Sequence, residues 1–194
     1  MAQLRYNKLV RNMKILKAVV LGDTECGKTS FTQRYTTGNF PDPNFLRTTI
    51  GASFDTKRVT TSNGRDVTLS IWDFGGQLRF IDQMKSMIRG ASVGLLFFDV
   101  MRLQTLDNLE GYWIPAIEEN SKLKLLEGDG PRFMIVANKV DLLDEERYDF
   151  ISDEMRFVME KYNMGGQMIS ARTGIGLERL DDGFLAIVDR FTAD

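Results

Sequence analysis

Unbroken runs of apolar residues alternate along this chain with segments in which apolar residues recur at helical spacing. The runs are short and rich in β-branched residues, which is typical of buried strands in a parallel sheet. Such strands are predicted at residues 15–21, 93–100 and 133–137. Helices are predicted at residues 28–35, 106–117, 155–159 and 177–191. Strands that alternate with helices in this way indicate a three-layer α/β domain with a mostly parallel sheet.

One part of the chain has a different pattern. Val67, Leu69 and Ile71 alternate with polar residues, as in a half-exposed strand, and Asn63-Gly64 just before them is a strong hairpin signal. Residues 52–62 are therefore predicted to pair antiparallel with 65–73, and residues 38–49 to form a loop. The full prediction is a six-stranded, mostly parallel sheet with one antiparallel hairpin strand and helices on both faces.

Composition narrows the possible functions. The chain has 194 residues, enough for one domain with a sizeable core, and a net charge of −2, which argues against a nucleic-acid binder. It contains no His, which excludes His-based zinc sites and catalytic triads, and Cys26 alone cannot form an intrachain disulfide. No apolar run is long enough to span a bilayer and no signal peptide is recognisable, so a cytoplasmic setting is expected.

The first chemical motif follows the first strand. Residues 22–29 fit the phosphate-loop pattern G-x-x-x-x-G-K-[ST], between a predicted strand and a predicted helix. Backbone N–H groups of such a loop surround the β-phosphate, Lys28 reaches the β- and γ-phosphates, and the Thr29 hydroxyl binds Mg²⁺. A structural glycine turn is the weaker alternative. The candidate nucleotide-binding residues are Gly22, Asp23, Thr24, Glu25, Cys26, Gly27, Lys28, Thr29 and Ser30.

A second motif addresses the base, since a phosphate loop serves ATP and GTP alike. Asn138-Lys139-Val140-Asp141 follows the strand at 133–137. The Asp141 carboxylate can accept two parallel hydrogen bonds, as guanine N1–H and the 2-amino group offer, whereas adenine lacks both donors. Asn138 is predicted to tie this segment to the phosphate loop, and the Lys139 stem to lie over the base. A polar loop after a strand is the alternative interpretation.

A third segment, residues 170–172, follows a short apolar stretch. We expect the Ala171 backbone N–H to contact guanine O6, with Ser170 and Arg172 beside it. The competing interpretation is an ordinary joint between a strand and a helix, because Ser-Ala-Arg is common there.

Residues 73–77, Asp-Phe-Gly-Gly-Gln, end the half-exposed strand. Asp73 is predicted to hold Mg²⁺ through a water, Gly76 to offer its N–H to the γ-phosphate, and Gln77 to orient the attacking water. Loss of the γ-phosphate then releases these contacts, which is how a nucleotide-driven switch works. A tight Gly-Gly turn with solvated polar neighbours is the alternative.

These motifs together resemble a small GTPase of the Ras superfamily, over nearly the whole range from Lys14 to Phe191. Residues 49–54 are similar to the T-I-G-x-x-F of the Rab-like branch, Trp72-Asp73 with Gly76-Gln77 and Arg79-Phe80 to its W-D-T-A-G-Q-E-R-F, and residues 89–91 to its Y-Y-R-G-A. The resemblance implies a P-loop NTPase fold (the G domain) at residues 14–194. Residues 1–13 before it are predicted to form an N-terminal basic arm. The resemblance also implies GTP and GDP binding with Mg²⁺, slow hydrolysis, and effector, activating and exchange proteins as partners. It assigns Thr49 to Mg²⁺.

The chain departs from that family at several positions. Phe74-Gly75 replaces Thr-Ala and resembles the D-x-G-G-Q of Arf-like and septation GTPases. Thr24 stands where Gly or Ser is usual, close to the place of the water and an arginine finger, so weak assisted hydrolysis is predicted. The loop before Thr49 is longer than usual, and Phe40 is the best candidate to pack edge-on against guanine. Arg172 replaces the usual Lys.

Membrane association and the class of function stay open. The chain shows neither a C-terminal prenylation Cys nor an N-terminal Met-Gly, so no lipid anchor is expected and any membrane contact is peripheral. The basic arm is either a mobile lead-in to the first strand or an amphipathic helix on an anionic membrane. The leading function is a GTP-hydrolysing switch. The alternatives are a nucleotide-stabilised interaction module with little hydrolysis and an ATP-using kinase, which Asp141 argues against.

Overall fold

The structure is a computed structural model that describes residues 14–45, 47–77, 81–120 and 132–192. The predicted N-terminal arm, with Arg79 and Phe80, lies outside the described residues.

Six strands form one sheet in the order β2-β3-β1-β4-β5-β6. The pair β2 and β3 is antiparallel and every other neighbouring pair is parallel, which confirms the predicted fold class. The strands are β1 (Lys14–Gly22), β2 (Ala52–Thr60), β3 (Asp66–Phe74), β4 (Val93–Asp99), β5 (Phe133–Asn138) and β6 (Gly165–Ile169).

Helices cover both faces of this sheet. They are α1 (Lys28–Thr37), α2 (Ile81–Ile88), α3 (Gln104–Asn108, a π-helical turn Leu109–Trp113, and Ile114–Asn120), α4 (Glu145–Lys161) and α5 (Leu177–Arg190). Short 3₁₀ turns occur at Pro43–Phe45 and Val140–Leu142. Within the described ranges, no helix is long and apolar enough to cross a membrane.

Alternation along the central strands divides the core into two layers. In β4, Leu96 and Phe98 pack with α2, α3 and α4 on one face, whereas Leu95 and Phe97 pack with α1 and α5 on the other. All four side chains are buried, which explains why these strands appear in the sequence as continuous apolar runs. The parallel strands bring their carboxyl ends to one edge, where α/β folds bind ligands.

Two parts of the fold differ from the prediction. Helix α2 was not predicted, and the helix predicted at 106–117 is interrupted by the π-helical turn. Pro115 explains the interruption, because it has no N–H for the carbonyl of Gly111 and its ring crowds that carbonyl in a regular helix. The wider turn relieves this crowding and still buries Leu109 and Trp113 completely.

Candidate functional site

A cavity of about 410 Å³ opens at the carboxyl edge of the sheet. This volume is within the range usual for small-molecule sites. The walls come from all the segments that the sequence singled out. The lining residues include Thr24, Glu25, Gly27, Lys28, Thr29, Ser30, Phe40, Thr49, Gly76, Asn138, Lys139, Asp141, Ala171 and Arg172.

The phosphate loop is wound tightly around the Lys28 side chain. The Lys28 ammonium donates to the carbonyl oxygens of Gly22 and Asp23, at 2.7 Å each. Burial lowers the pKa of Lys28. Gly27 caps α1 with a left-handed φ of 86°, so the N-terminus of that helix faces the cavity. A buried cation and a helix N-terminus at the same end make this end a receptor for phosphates.

Asn138 joins the base-reading segment to the phosphate loop. Its amide nitrogen donates to the Cys26 carbonyl at 2.8 Å, and its amide oxygen accepts from the Ala171 N–H at 3.0 Å. A Cβ on Gly27 would lie 2.2 Å from that amide nitrogen, so only glycine allows the approach. The predicted tie between Asn138 and the phosphate loop is therefore present.

The Ala171 N–H has a partner within the protein that the sequence did not predict. It is already bonded to Asn138, so the contact of this N–H with guanine O6 stays a prediction. The surrounding turn is held firmly, because the Arg34 guanidinium donates to the carbonyls of Ala171 and Arg172 at 3.1 and 2.7 Å. Ser170 is fully buried and accepts from the Thr173 N–H at 3.0 Å. Ala171 and Arg172 line the cavity, whereas Ser170 supports the turn.

Lys139 and Asp141 of the base-reading segment (residues 138–141) have different surroundings. Lys139 has a left-handed φ of 77° and its ammonium donates to the buried Asp99 carboxylate at 2.7 Å. That bond fixes the far end of the side chain, and its stem borders the cavity. Asp141 lies two residues further on, in the 3₁₀ turn, where it lines the cavity and is half-buried. The bonds of Asp141 and Lys139 with the base stay predictions.

The proposed magnesium ligands lie together at the phosphate end. The Thr29 hydroxyl donates to one Asp73 carboxylate oxygen at 2.5 Å and lies 2.7 Å from the Thr49 hydroxyl. Ser53 also donates to that oxygen, at 3.3 Å. The other oxygen, Oδ1, is buried and has no hydrogen-bond partner among the residues that the structure describes. Burial raises the pKa of Asp73, although the Thr29 hydrogen bond works against this rise.

This donor set fits Mg²⁺. Hydroxyl and carboxylate oxygens are the hard ligands that Mg²⁺ takes, and an unpartnered buried carboxylate oxygen has much to gain from a cation. Among the described residues, no group of three or more His, Cys, Asp or Glu is positioned to hold a metal. Such sparse protein ligation suits Mg²⁺, which keeps waters and substrate phosphate oxygens in its coordination shell.

The Gly75-Gly76 pair brings together two segments that are predicted to respond to the γ-phosphate: the loop around Thr49 that leads into β2 (the first switch) and residues 73–77 (the second switch). The Gly75 N–H donates to the Gly51 carbonyl at 2.7 Å, and a Cβ on Gly75 would lie 2.4 Å from the Thr49 carbonyl oxygen. A Cβ on Gly76 would lie 2.1 Å from the Thr24 nitrogen, whose N–H donates to the Gly76 carbonyl at 3.1 Å. Gly75, which stands where the family usually has Ala, thus lets its own backbone approach that of Thr49 closely. The Gly76 contact with a γ-phosphate stays a prediction.

Gln77 and Phe40 are the two remaining residues that the sequence assigned to the nucleotide site. Gln77 follows Gly76 directly and is half-buried, and its role as a water-orienting residue stays a prediction. Phe40 lines the cavity and also packs against the core layer that contains Phe31. The edge contact of Phe40 with the base stays a prediction.

Sequence reasoning missed the residues that hold the phosphate loop from behind. The Asp23 carboxylate accepts from the Asn108 amide at 2.6 Å and from the Trp113 indole N–H at 2.8 Å. The available signal for this contact was Trp113 itself. Its side chain has no exposed surface, and a buried indole N–H normally needs a hydrogen-bond acceptor. Arg102, which reaches the loop from its other side, gave no signal because its partners come from two separate segments, the end of β4 and the phosphate loop.

Comparisons with known proteins agree with this arrangement. The model of the Ras family matches residues 17–191. The chain is 32% identical over 183 residues to the Ras-related protein Rab-27B of Rattus norvegicus, covering 90% of this chain and 79% of that protein. It is 33% identical over 168 residues to the Ras-related protein Rab7 of Drosophila melanogaster (87% and 77%). It is 30% identical over 169 residues to the Ypt/Rab-type GTPase Rab7 of Neurospora crassa (87% and 80%).

Proposed function

The chain belongs to the Ras family, as a Rab-like GTPase that binds GTP and GDP with Mg²⁺, and we propose how its own residues perform that function. In this proposal it is a molecular switch, of trafficking or signalling type, that recruits effectors in the GTP state. The observation that carries the assignment of roles is the single cavity lined by the phosphate loop, the switch segments and the base-reading segment.

Guanine selection is assigned to the rigid end of the cavity. Asp141 accepts the N1–H and 2-amino hydrogen bonds, and adenine is rejected because it leaves this half-buried carboxylate unpaired. Asn138 keeps the segment in register with the phosphate loop through its bond to Cys26. The Lys139 stem covers the base while its ammonium stays with Asp99.

Phosphate binding and hydrolysis are assigned to the other end. Lys28 exchanges its bonds to the loop carbonyls for bonds to the β- and γ-phosphates, and the α1 N-terminus adds its partial positive charge. Thr29, Thr49 and Asp73 hold Mg²⁺, which neutralises charge on the phosphates when bound. Gln77 orients the water in line with the γ-phosphate, and Gly76 offers its N–H to that phosphate.

Effector recruitment is assigned to an apolar surface beside the switch segments. Ile50 is 81% and Phe54 57% exposed, and Trp72 packs edge-on against Phe54 with ring centroids 4.5 Å apart. Exposed apolar side chains of this size mark interaction surfaces. Because β2 begins three residues after Thr49, movement of the first switch changes the shape of this surface. Activating and exchange proteins are expected to use the same segments.

The test is to identify the nucleotide that copurifies with the protein and to follow GTP turnover with Mg²⁺. We expect guanine nucleotide and slow hydrolysis that falls by at least about tenfold in Gln77→Leu, with GDP affinity unchanged. Asp141→Ala should reduce the preference for GTP over ATP by about a hundredfold. Binding of ATP as tight as GTP in the unaltered chain would refute the assignment of Asp141.

The alternative of a GTP-binding module with little hydrolysis is not favoured, because the relatives include a protein described as a GTPase. The Thr24 prediction remains: its side chain lines the cavity, where an arginine finger and the water must fit. Acceleration by a candidate activating protein should be weak in the unaltered chain and larger in Thr24→Gly. Equal acceleration of both would show that Thr24 does not obstruct the finger.

A further inference from the structure

An acidic side chain stands on the wall of a cavity built for anions. Glu25 lines the cavity next to Thr24, and it has a left-handed φ of 65°, which is costly for a residue with a Cβ. This backbone conformation belongs to the winding of the phosphate loop, which places Glu25 at the phosphate end of the cavity with its side chain 72% exposed. A carboxylate there raises the free energy of bound polyphosphate unless another charge offsets it.

Arg102 is the offsetting charge. It precedes α3, and each of its guanidinium nitrogens has a partner: Nε donates to Asp99 at 3.0 Å, one terminal nitrogen donates to the Thr24 carbonyl at 2.8 Å, and the other lies 3.6 Å from the Glu25 carboxylate. The planar fork of arginine allows three such contacts in fixed directions, which lysine cannot reproduce.

The position of this guanidinium is itself well determined. The Arg102 N–H donates to the Asp99 carbonyl at 2.8 Å, and its own carbonyl accepts from the Thr105 N–H and hydroxyl at 2.9 and 2.7 Å. Asp99 is nearly fully buried and shares its Oδ2 with the Lys139 ammonium. Arg102 therefore stands between the base-reading segment and the phosphate loop, bonded to both through Asp99 and Thr24.

The backbone of Thr24 links Arg102 with the second switch. Its carbonyl accepts from Arg102, while its N–H donates to the Gly76 carbonyl at 3.1 Å. A loop that is held from both sides keeps its amides in place for a nucleotide and resists opening.

We propose that Arg102 is a positioning residue for the bound nucleotide, which offsets the Glu25 charge and locks the Thr24 carbonyl, and so sets how long guanine nucleotide stays in the cavity. The inference rests on the proposed function and adds a determinant of nucleotide residence to it. Because Glu25 acts through charge, the effect grows with the number of phosphates on the nucleotide.

The experiment measures dissociation rates of fluorescent GDP and GMP from the full chain, in unaltered form and as Arg102→Gln, Glu25→Gln and the double variant. Arg102→Gln should release GDP about fivefold faster, or about 1 kcal/mol. In the Glu25→Gln background the same change should accelerate release only about twofold, because the charge to be offset is gone. The effect on GMP should be smaller than that on GDP.

Two further variants separate this role from a purely structural one. Arg102→Lys keeps the charge and loses the fork, so its GDP release should lie between those of the unaltered chain and Arg102→Gln. Arg156→Gln is the matched control, since Arg156 pairs with Asp153 on α4 away from the cavity, and it should leave release unchanged. Thermal unfolding of each variant checks that the fold is intact.

The outcomes are distinct. If the unaltered chain fails to bind guanine nucleotide, the proposed function is wrong. If it binds, but Arg102→Gln accelerates release by the same factor with and without Glu25, or equally for GDP and GMP, Arg102 is only a structural support and the inference is overturned.

Discussion

The base-reading end and the switch end of one cavity are built in different ways. At the base-reading end, Asn138 is 2% exposed and its amide is bonded to two separate backbone segments. At the switch end, Ile50 is 81% exposed. The first switch contacts the second through the bond from the Gly75 N–H to the Gly51 carbonyl, and the Thr49 hydroxyl lies beside that of Thr29 on the phosphate loop.

The difference follows from the elements that carry each end. Asn138 is the last residue of a central strand, and paired strands on both sides fix its position. The switch residues lie on a loop between α1 and the outermost strand β2, where few buried contacts resist movement. A site that must recognise one base benefits from rigidity, and a segment that must report the presence of one phosphate benefits from weak attachment.

The largest expected effect tests the rigid end. Asn138→Ala leaves the Cys26 carbonyl and the Ala171 N–H without their partner, so the base-reading segment is no longer tied to the phosphate loop. The free energy of GDP binding is expected to become less favourable by about 3 kcal/mol, which lowers GDP affinity about a hundredfold. Calorimetric titration with GDP measures this. Asn39→Ala is the matched control, because Asn39 is exposed and, within the described part of the chain, its hydrogen bonds are with Thr37. A loss below about tenfold would mean that the base-reading end is not held by Asn138.

An intermediate effect tests the contact between the switches. Gly75→Ala places a Cβ 2.4 Å from the Thr49 carbonyl and should push the first switch away from Asp73. GTP hydrolysis should fall about tenfold while GDP affinity changes by no more than about twofold. Gly111→Ala, where a Cβ meets no heavy atom within 4 Å, is the control for both measurements. Equal losses of hydrolysis and GDP affinity would show that the two ends are not separable.

The smallest expected effect concerns the exposed surface beside the switches. Phe54→Ala removes one edge contact with Trp72 and little buried area, so the free energy of unfolding should fall by no more than about 1 kcal/mol, with nucleotide affinity unchanged. Val59→Ala, at a buried position on the same strand, should destabilise the protein more. Thermal unfolding with bound GDP compares the two. A larger loss in Phe54→Ala would make this ring part of the core and weaken its assignment to effectors.

Much of the site was predictable because its motifs are local. The phosphate loop needs adjacent residues with particular backbone freedom, and the hairpin needs Asn63-Gly64 at its turn, which the structure places between β2 and β3. The tie from Asn138 to the phosphate loop was also predicted and is present. The N-terminal arm and the roles of Gln77, Phe40 and Asp141 remain predictions.

The sequence by itself determined the fold class, most of the strands and helices, and the motifs at residues 22–29, 73–77 and 138–141, because each depends on local periodicity or spacing. Only the tertiary structure decided what holds the phosphate loop in place. Asp23 meets Trp113, and Arg102 meets Thr24 and Glu25, across 77 to 90 residues of chain. Such contacts depend on how α3 packs on the sheet, with a π-helical turn before Pro115, and no local pattern encodes that packing.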